Sequence, residues 1–450
     1  MTRSLSIQCC WFVSIAAALV LSCGQTKLVT YPAPAEISPS LDYRVQVNGQ
    51  PVFVYPARVS ARPANQIWPG HQRPQEETEL ASFAYFDFSG SVQVEVVSAR
   101  PVQSVLIRPQ SYGIVPSIQD NVIRFSLSKP GQIAVEVNGW HQALHLFANP
   151  LEKERPKPDD VNVRYFGPGI HQAGKIRLKD HQTVYIAGGA IVHGVIEAVD
   201  AGKVRVLGRG ILDASRIGRF DDVNMIHFLG CKEVRVDGII FNDAHKWTLV
   251  MVKCADVAIS NVKLIGMWRY NSDGIDLVNS QRVVVENSFV RTFDDNIVLK
   301  GFPTWGGEKY DTQSRPLKDI LVRNCVLWGD WGRPLEIGAE TRTDSIYNVT
   351  FRDIEIIHFV QRAMDVQNGD RALVSKIRFE NINIEHALIE GYQRQDIPHP
   401  EPSHPDHPQK AGMLLELFSD PNPYSKDSQR GRITDVIYKS INVIGDFRVH

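Results

Sequence analysis

An all-β fold, a β-sandwich followed by a parallel β-helix, is predicted by three features of this 450-residue sequence. Its first third alternates apolar and polar residues in short runs divided by hairpin-turn dipeptides. From about residue 161 a β-branched run ending in a turn residue recurs seven times. The 32 Gly and 26 Pro supply the turns such folds need. The chain is 43% hydrophobic, enough for sizeable cores, and its formal charge of −1 gives no electrostatic reason to expect nucleic acid as a partner.

Residues 1–22 read as a signal segment of the lipoprotein type. Arg3 supplies a positive start, and Cys9 to Leu21 is a stretch too short to span a membrane comfortably. It ends in Val20-Leu21-Ser22-Cys23-Gly24 and resembles a bacterial lipoprotein signal. That resemblance implies lipidation of Cys23, export, and a periplasmic or outer-membrane-associated protein that meets the membrane only through its anchor. Cys231, Cys254 and Cys325 then remain, an odd number that implies no disulfide framework. They are expected as small buried apolar residues. No cofactor and no metal are expected.

Residues 27–150 are assigned to the sandwich. Tyr43–Val47, Val52–Tyr55, Val92–Val96, Val105–Ile107, Val122–Leu127 and Ile133–Val137 are its strands, with Asn48-Gly49 and Asn138-Gly139 as hairpin turns. This spacing suggests an antiparallel β-sandwich. Residues 151–160, polar and proline-bearing, read as a linker.

The β-helix is assigned to residues 161–450. Its repeated runs end at positions 208, 238, 261, 287, 324, 353 and 381, at intervals of 23 to 37 residues. Stacked one coil per repeat, they place Asn261, Asn287, Asn324 and Asn381 at one turn, where side-chain amides could bond along the ladder. Insertions at 302–312, with Trp305, and at 387–410 are expected to rim a binding face. His399, His404 and His407 in the second are read as loop residues.

A second strand in each coil can be registered by its inward apolar pairs, Ile275/Leu277, Ile297/Leu299, Leu335/Ile337 and Met364/Val366. Two positions before each pair the column reads Asp273, Asp295, Arg333, Arg362. Between the pair it reads Asp276, Val298, Glu336, Asp365. Lys300 is one step further along its strand, and Asp294 adjoins Asp295. Asp276, Asp365 and Arg362 fit a solvated ion-pair row equally well. Asp273 with Asp294-Asp295 does not, because three acids within two coils repel one another, whereas acid/base chemistry requires neighbouring carboxyl groups in different protonation states. Trp268, Tyr270, Trp305, Trp328 and Trp331 are expected beside the turns that flank this face, where aromatic rings could stack on sugars.

Asn271-Ser272-Asp273-Gly274-Ile275-Asp276-Leu277, with Asp294-Asp295 following, resembles the polygalacturonase family, glycoside hydrolase family 28, and the related dextranase family, family 49. The resemblance covers most of residues 161–450. It implies a right-handed β-helix, an N-terminal sandwich as in the dextranase-like proteins, and inverting hydrolysis by three aspartates. Asp294 would be the general acid, and Asp273 and Asp295 would activate the water. Lys300, Arg333, Glu336, Arg362, Asp276, Asp365, Trp305 and Trp331 would bind substrate, a polysaccharide or oligosaccharide. Gly332-Arg333-Pro334 stands where polygalacturonases carry Gly-His-Gly, and Arg362-Ala363-Met364 is the nearest counterpart of their Arg-Ile-Lys. Two alternatives stay open. A polysaccharide lyase could use Lys300, Arg333 or Arg362, and a non-catalytic carbohydrate-binding surface protein would need only the aromatics. A monomer is expected.

Overall fold

The computed structural model describes residues 26–61, 74–218, 223–302, 315–387 and 413–445. Cys23, Trp305 and the three insertion histidines lie outside them. Among the described residues there is no α-helix. Cys231, Cys254 and Cys325 are free and buried.

Two sheets form the N-terminal unit. A five-stranded one joins Gln50–Val52, Tyr43–Val47, Val92–Ser98, Val122–Leu127 and Ser117–Gln119. A six-stranded one centres on Thr78–Ser89 and Leu144–Pro150. These two central strands run parallel, from Leu144 opposite Ser82 to Pro150 opposite Phe88, so the pairing is not antiparallel throughout. The six-stranded sheet is covered on both faces. Ala84, Phe86 and Phe88 point into the sandwich core, while Phe83, Tyr85 and Phe147 point toward the β-helix.

The rest of the chain builds one 24-stranded sheet wound into a parallel β-helix. Most coils contribute three strands, and each strand pairs with its counterpart one coil away. Residues 151–162 are irregular and lie along the helix, with the Tyr185 hydroxyl donating to Glu152 Oε1 at 2.8 Å. The second strand of successive coils meets the sandwich through Ile211, Ile240, Phe289, Val326 and Trp328. The third strand carries the acidic and basic columns on the neighbouring face.

Asn261, Asn287, Asn324 and Asn381 share one turn with φ of 50–55°. The left-handed conformation costs most residues about 1–2 kcal/mol, and asparagine adopts it more readily. Backbone conformation is therefore what they have in common. Their amides form no continuous ladder. Asn381 Nδ2 donates to Asp353 Oδ1 at 2.7 Å, whereas Asn261 Oδ1 accepts from Gln132 of the sandwich at 3.1 Å.

Candidate active site

The third-strand register follows the apolar pairs. Ile275 lies opposite Ile297, which lies opposite Leu335, which lies opposite Met364. This stacks Val298, Glu336 and Asp365 above Asp276. Side chains between inward-facing residues must point outward, so the spacing of the core fixes the spacing of the charges.

The turns before these strands carry the triad. Gly274 N–H donates to Asp295 O at 2.8 Å, and a Cβ on Gly274 would sit 2.4 Å from Asn296 O, so no larger residue fits there. Asn271, with φ of 57°, donates its N–H to Asp294 Oδ2 at 3.2 Å. The Arg333 N–H donates to Asp295 Oδ1 at 2.9 Å. Carboxylate oxygens of Asp273, Asp294 and Asp295 all come within 4.8 Å of one another. Strand alternation would have turned Asp294 away from Asp295. Phe293 to Asn296 form a bend between strands, where alternation does not apply, and Asp294 turns into the cluster.

The surrounding face is not a solvated row. Asp273, Asp276, Asp294, Asp295, Lys300, Arg333, Glu336, Arg362 and Asp365 are all buried. Burial, with the Asp294 charge beside it, pushes Asp273 well above the usual carboxylate range. Burial does the same to Asp276, and Lys300 offsets it only in part. For Asp295 burial is overcome by the Arg333 guanidinium and by a hydrogen bond from Glu336, so its carboxyl lies below the usual range. Glu336 is pushed well up, by burial and by the Asp295 charge. Burial would deprotonate Lys300, but Glu340 and three aspartates outweigh it and hold the ammonium. Neighbouring carboxyl groups of the cluster are thus shifted in opposite directions, Asp295 down and Asp273, Asp276 and Glu336 up.

Several residues of this face escaped the sequence reading. Glu340 lies 3.3 Å from Lys300 Nζ, and the Trp247 ring centroid lies 4.5 Å from it. Trp247 stands two positions before Leu249, in the column that continues as Asp273, so extending the column one coil would have found it. Glu416 pairs in register with Asp365, and its Oε2 lies 2.6 Å from Arg362 Nε. The long insertion before it hides that register in the sequence.

The aromatics divide differently from expectation. Trp328 belongs to the second-strand column, its ring fully buried against His145 and Arg291 beneath the sandwich, while its carbonyl accepts from Asn296 Nδ2 at 3.1 Å. Trp331 stacks on Phe293 at 5.2 Å and meets Tyr270 edge-on. At 6% exposure it packs the turns that bear the triad rather than offering a free platform. The Arg269 guanidinium lies over the Trp268 ring, 3.9 Å from its centroid.

Comparison with known proteins finds similarity to glycoside hydrolases. The family described as glycosyl hydrolases family 28 matches residues 216–391, which include the whole triad. A probable polygalacturonase of Arabidopsis thaliana is 27% identical over 161 residues, 35% of this chain and 33% of that protein. An exopolygalacturonase of Cochliobolus carbonum is 22% identical over 171 residues, 34% of this chain and 35% of that protein. The chain thus spans about a third of the length of these curated relatives. Dex49A from Penicillium minioluteum has a similar fold, with a TM-score of 0.62 at 15% identity, covering 94% of this chain and 91% of that one. The chain is polygalacturonase-like in its triad segment and shares the Dex49A fold over nearly its full length.

Proposed function

We propose, for a chain with this triad segment and this fold, that it is an inverting glycoside hydrolase that cleaves a polysaccharide or oligosaccharide. The observation that carries the reading is the convergence of Asp273, Asp294 and Asp295 within 4.8 Å on a buried, cation-flanked face. Asp295, ionised, and Asp273 polarise the attacking water. Asp294, at 8% the most exposed of the three, gives its proton to the glycosidic oxygen. Burial and the Asp294 charge favour a proton on Asp273 before substrate arrives, and this proton passes to Asp294 as substrate binds, which leaves Asp273 ionised toward the water.

Inversion is supported by two acids, Asp273 and Asp295, being available to grip one water. In enzymes with a single acid/base pair an inverting mechanism leaves about 6.5–9.5 Å between carboxyls. The nearest carboxylate oxygens here come within 4.8 Å, so the reading of inversion rests on the paired acids and not on carboxyl separation. Lys300, Arg333, Glu336, Arg362, Asp276 and Asp365 surround the reacting centre. A lyase would need a neutral base, and Lys300 is held as an ammonium. The signal-like start and Cys23 favour an exported, lipid-anchored enzyme.

Proton NMR of the first-formed sugar decides the stereochemistry. Inverted configuration is expected, and retained configuration sinks the mechanism even if all three aspartates prove essential. Product absorbance typical of an unsaturated sugar would replace the hydrolase with a lyase.

A further inference from the structure

We infer a second glycan-binding site, a groove between the sandwich and the β-helix that holds a polysaccharide chain by its hydroxyl groups without cleaving it. The groove is a cavity of about 720 Å³. It follows the turn after the first strand of successive coils, from Gly208 to Asn381, and the triad and the charged columns around it do not line it. Its floor carries Asn261, Asn287, Asn324 and Asn381, and Tyr112 and Gln132 of the sandwich form its wall. Successive turns lie about 4.8 Å apart, so the groove is shaped for a chain rather than for one small molecule.

Wall and floor meet at two amides, Gln132 and Asn261, each 6% exposed. Gln132 Nε2 donates to Asn261 Oδ1 at 3.1 Å. Gln132 Oε1 and Asn261 Nδ2 have no partner among the described residues. Turning both amides over exchanges their roles and still leaves one donor and one acceptor unmet. Buried amide groups left in that state are costly, and hydroxyls, which donate and accept at once, satisfy both. A water molecule has the same chemistry, but its share of liquid volume is about 30 Å³, a small part of this groove. Asn287 and Asn324 present exposed amides on the floor, one coil apart. Their backbone is not a strand edge that an extended peptide could join. The N–H of Asn261 donates along the ladder to Glu286 O at 3.0 Å, and that of Asn287 to Arg323 O at 3.2 Å. Tyr112, half-buried in the wall, supplies an aromatic ring for the apolar face of a sugar.

The test uses the full chain carrying Asp294→Asn, so that polymers stay intact, with dextran, starch, xylan, galactan and polygalacturonate as probes. Hydroxyl-radical footprinting read by mass spectrometry follows the exposure of Tyr112 as each polymer is titrated. At least one polymer is expected to protect Tyr112. Adding Asn287→Gly and Asn324→Gly removes both amides, and glycine keeps the left-handed backbone those turns require. The midpoint of protection should then rise on the order of tenfold, for about one hydrogen bond lost at each position. Protection of Tyr112 by no polymer overturns the site, whatever the cleft binds. A midpoint unchanged by the two glycines overturns it as well. The readout is binding, so failure here leaves the hydrolase reading standing, and loss of that reading leaves the groove.

Discussion

Replacing Asp273, Asp294 or Asp295 singly by Asn keeps the shape of each side chain and removes its proton chemistry. Each variant should lose about 10²- to 10⁴-fold in turnover, as measured on whichever polymer the wild type cleaves, with unchanged circular dichroism. Near wild-type turnover in all three would refute the site. Asp365 gives a separate residue-scale test. Burial, only partly offset by Arg333 and Arg362, raises its carboxyl to about 6. The folded state then holds a proton that the unfolded chain has lost above about pH 4. Stability from this group is therefore greatest at low pH and falls as pH rises through about 6. In Asp365→Asn the stability difference between pH 5 and pH 7.5 should shrink by about 1 kcal/mol, read from urea unfolding at the two values. An unchanged difference would mean that Asp365 is ionised throughout.

At the scale of strands and turns, glycine holds the triad together. A Cβ at Gly332 would fall 2.3 Å from the Asp294 backbone. Gly332→Ala should cost about 1–3 kcal/mol of stability by overpacking and should lower turnover as well, because the displaced backbone is the one that aims Asp294. Thermal melts and rates on one preparation test both. What the sequence disclosed follows the same division between strand and turn. The third-strand columns were legible because paired inward residues such as Ile297 and Leu299 recur with period two. The direction of Asp294 was not, since it lies in a bend. Thr78–Ser89 and Leu144–Pro150 escaped notice because both their faces are covered and no polar alternation marks them. Trp328 does adjoin a turn flanking the face, but its ring is buried rather than offered to the cleft, since a buried second-strand residue and a cleft residue look alike in sequence.

In the whole molecule the sandwich acts as a brace for the β-helix. Tyr270 and Phe293, neighbours of the triad in sequence, and Trp331, stacked on Phe293, belong to the same apolar cluster as Phe83, Tyr85 and Phe147 of the sandwich. Buried ion pairs cross this boundary. Arg209 donates to Asp87 at 2.9 Å, and Arg108 bridges Glu136 at 3.0 Å and Glu385 at 2.5 Å. Burial would raise the Glu136 carboxyl, yet His358 and Arg108 hold it down to about 2. Its stabilisation is complete above the unfolded value near 4.5 and fades as pH falls toward 2. Glu136→Gln leaves Arg108 and His358 short of a buried counter-charge, so it should destabilise the protein by about 3 kcal/mol at pH 7. It should also flatten the acid limb of the stability curve below pH 4.5. Denaturant melts across pH 3 to 7 would show both, and an acid limb as steep as wild type would contradict this role for Glu136.

Arg432–Val443 is the last described rung of the helix. A parallel β-helix is in effect a fibril lattice folded into one chain, and its final rung is where an outside strand could add on. Along it Arg432, Asp435 and Lys439 are exposed. Charged side chains at a sheet edge oppose recruitment of further strands. The repeat that builds the cleft thus carries alternating exposed charge along its last described rung, where Arg432, Asp435 and Lys439 oppose edge-to-edge pairing.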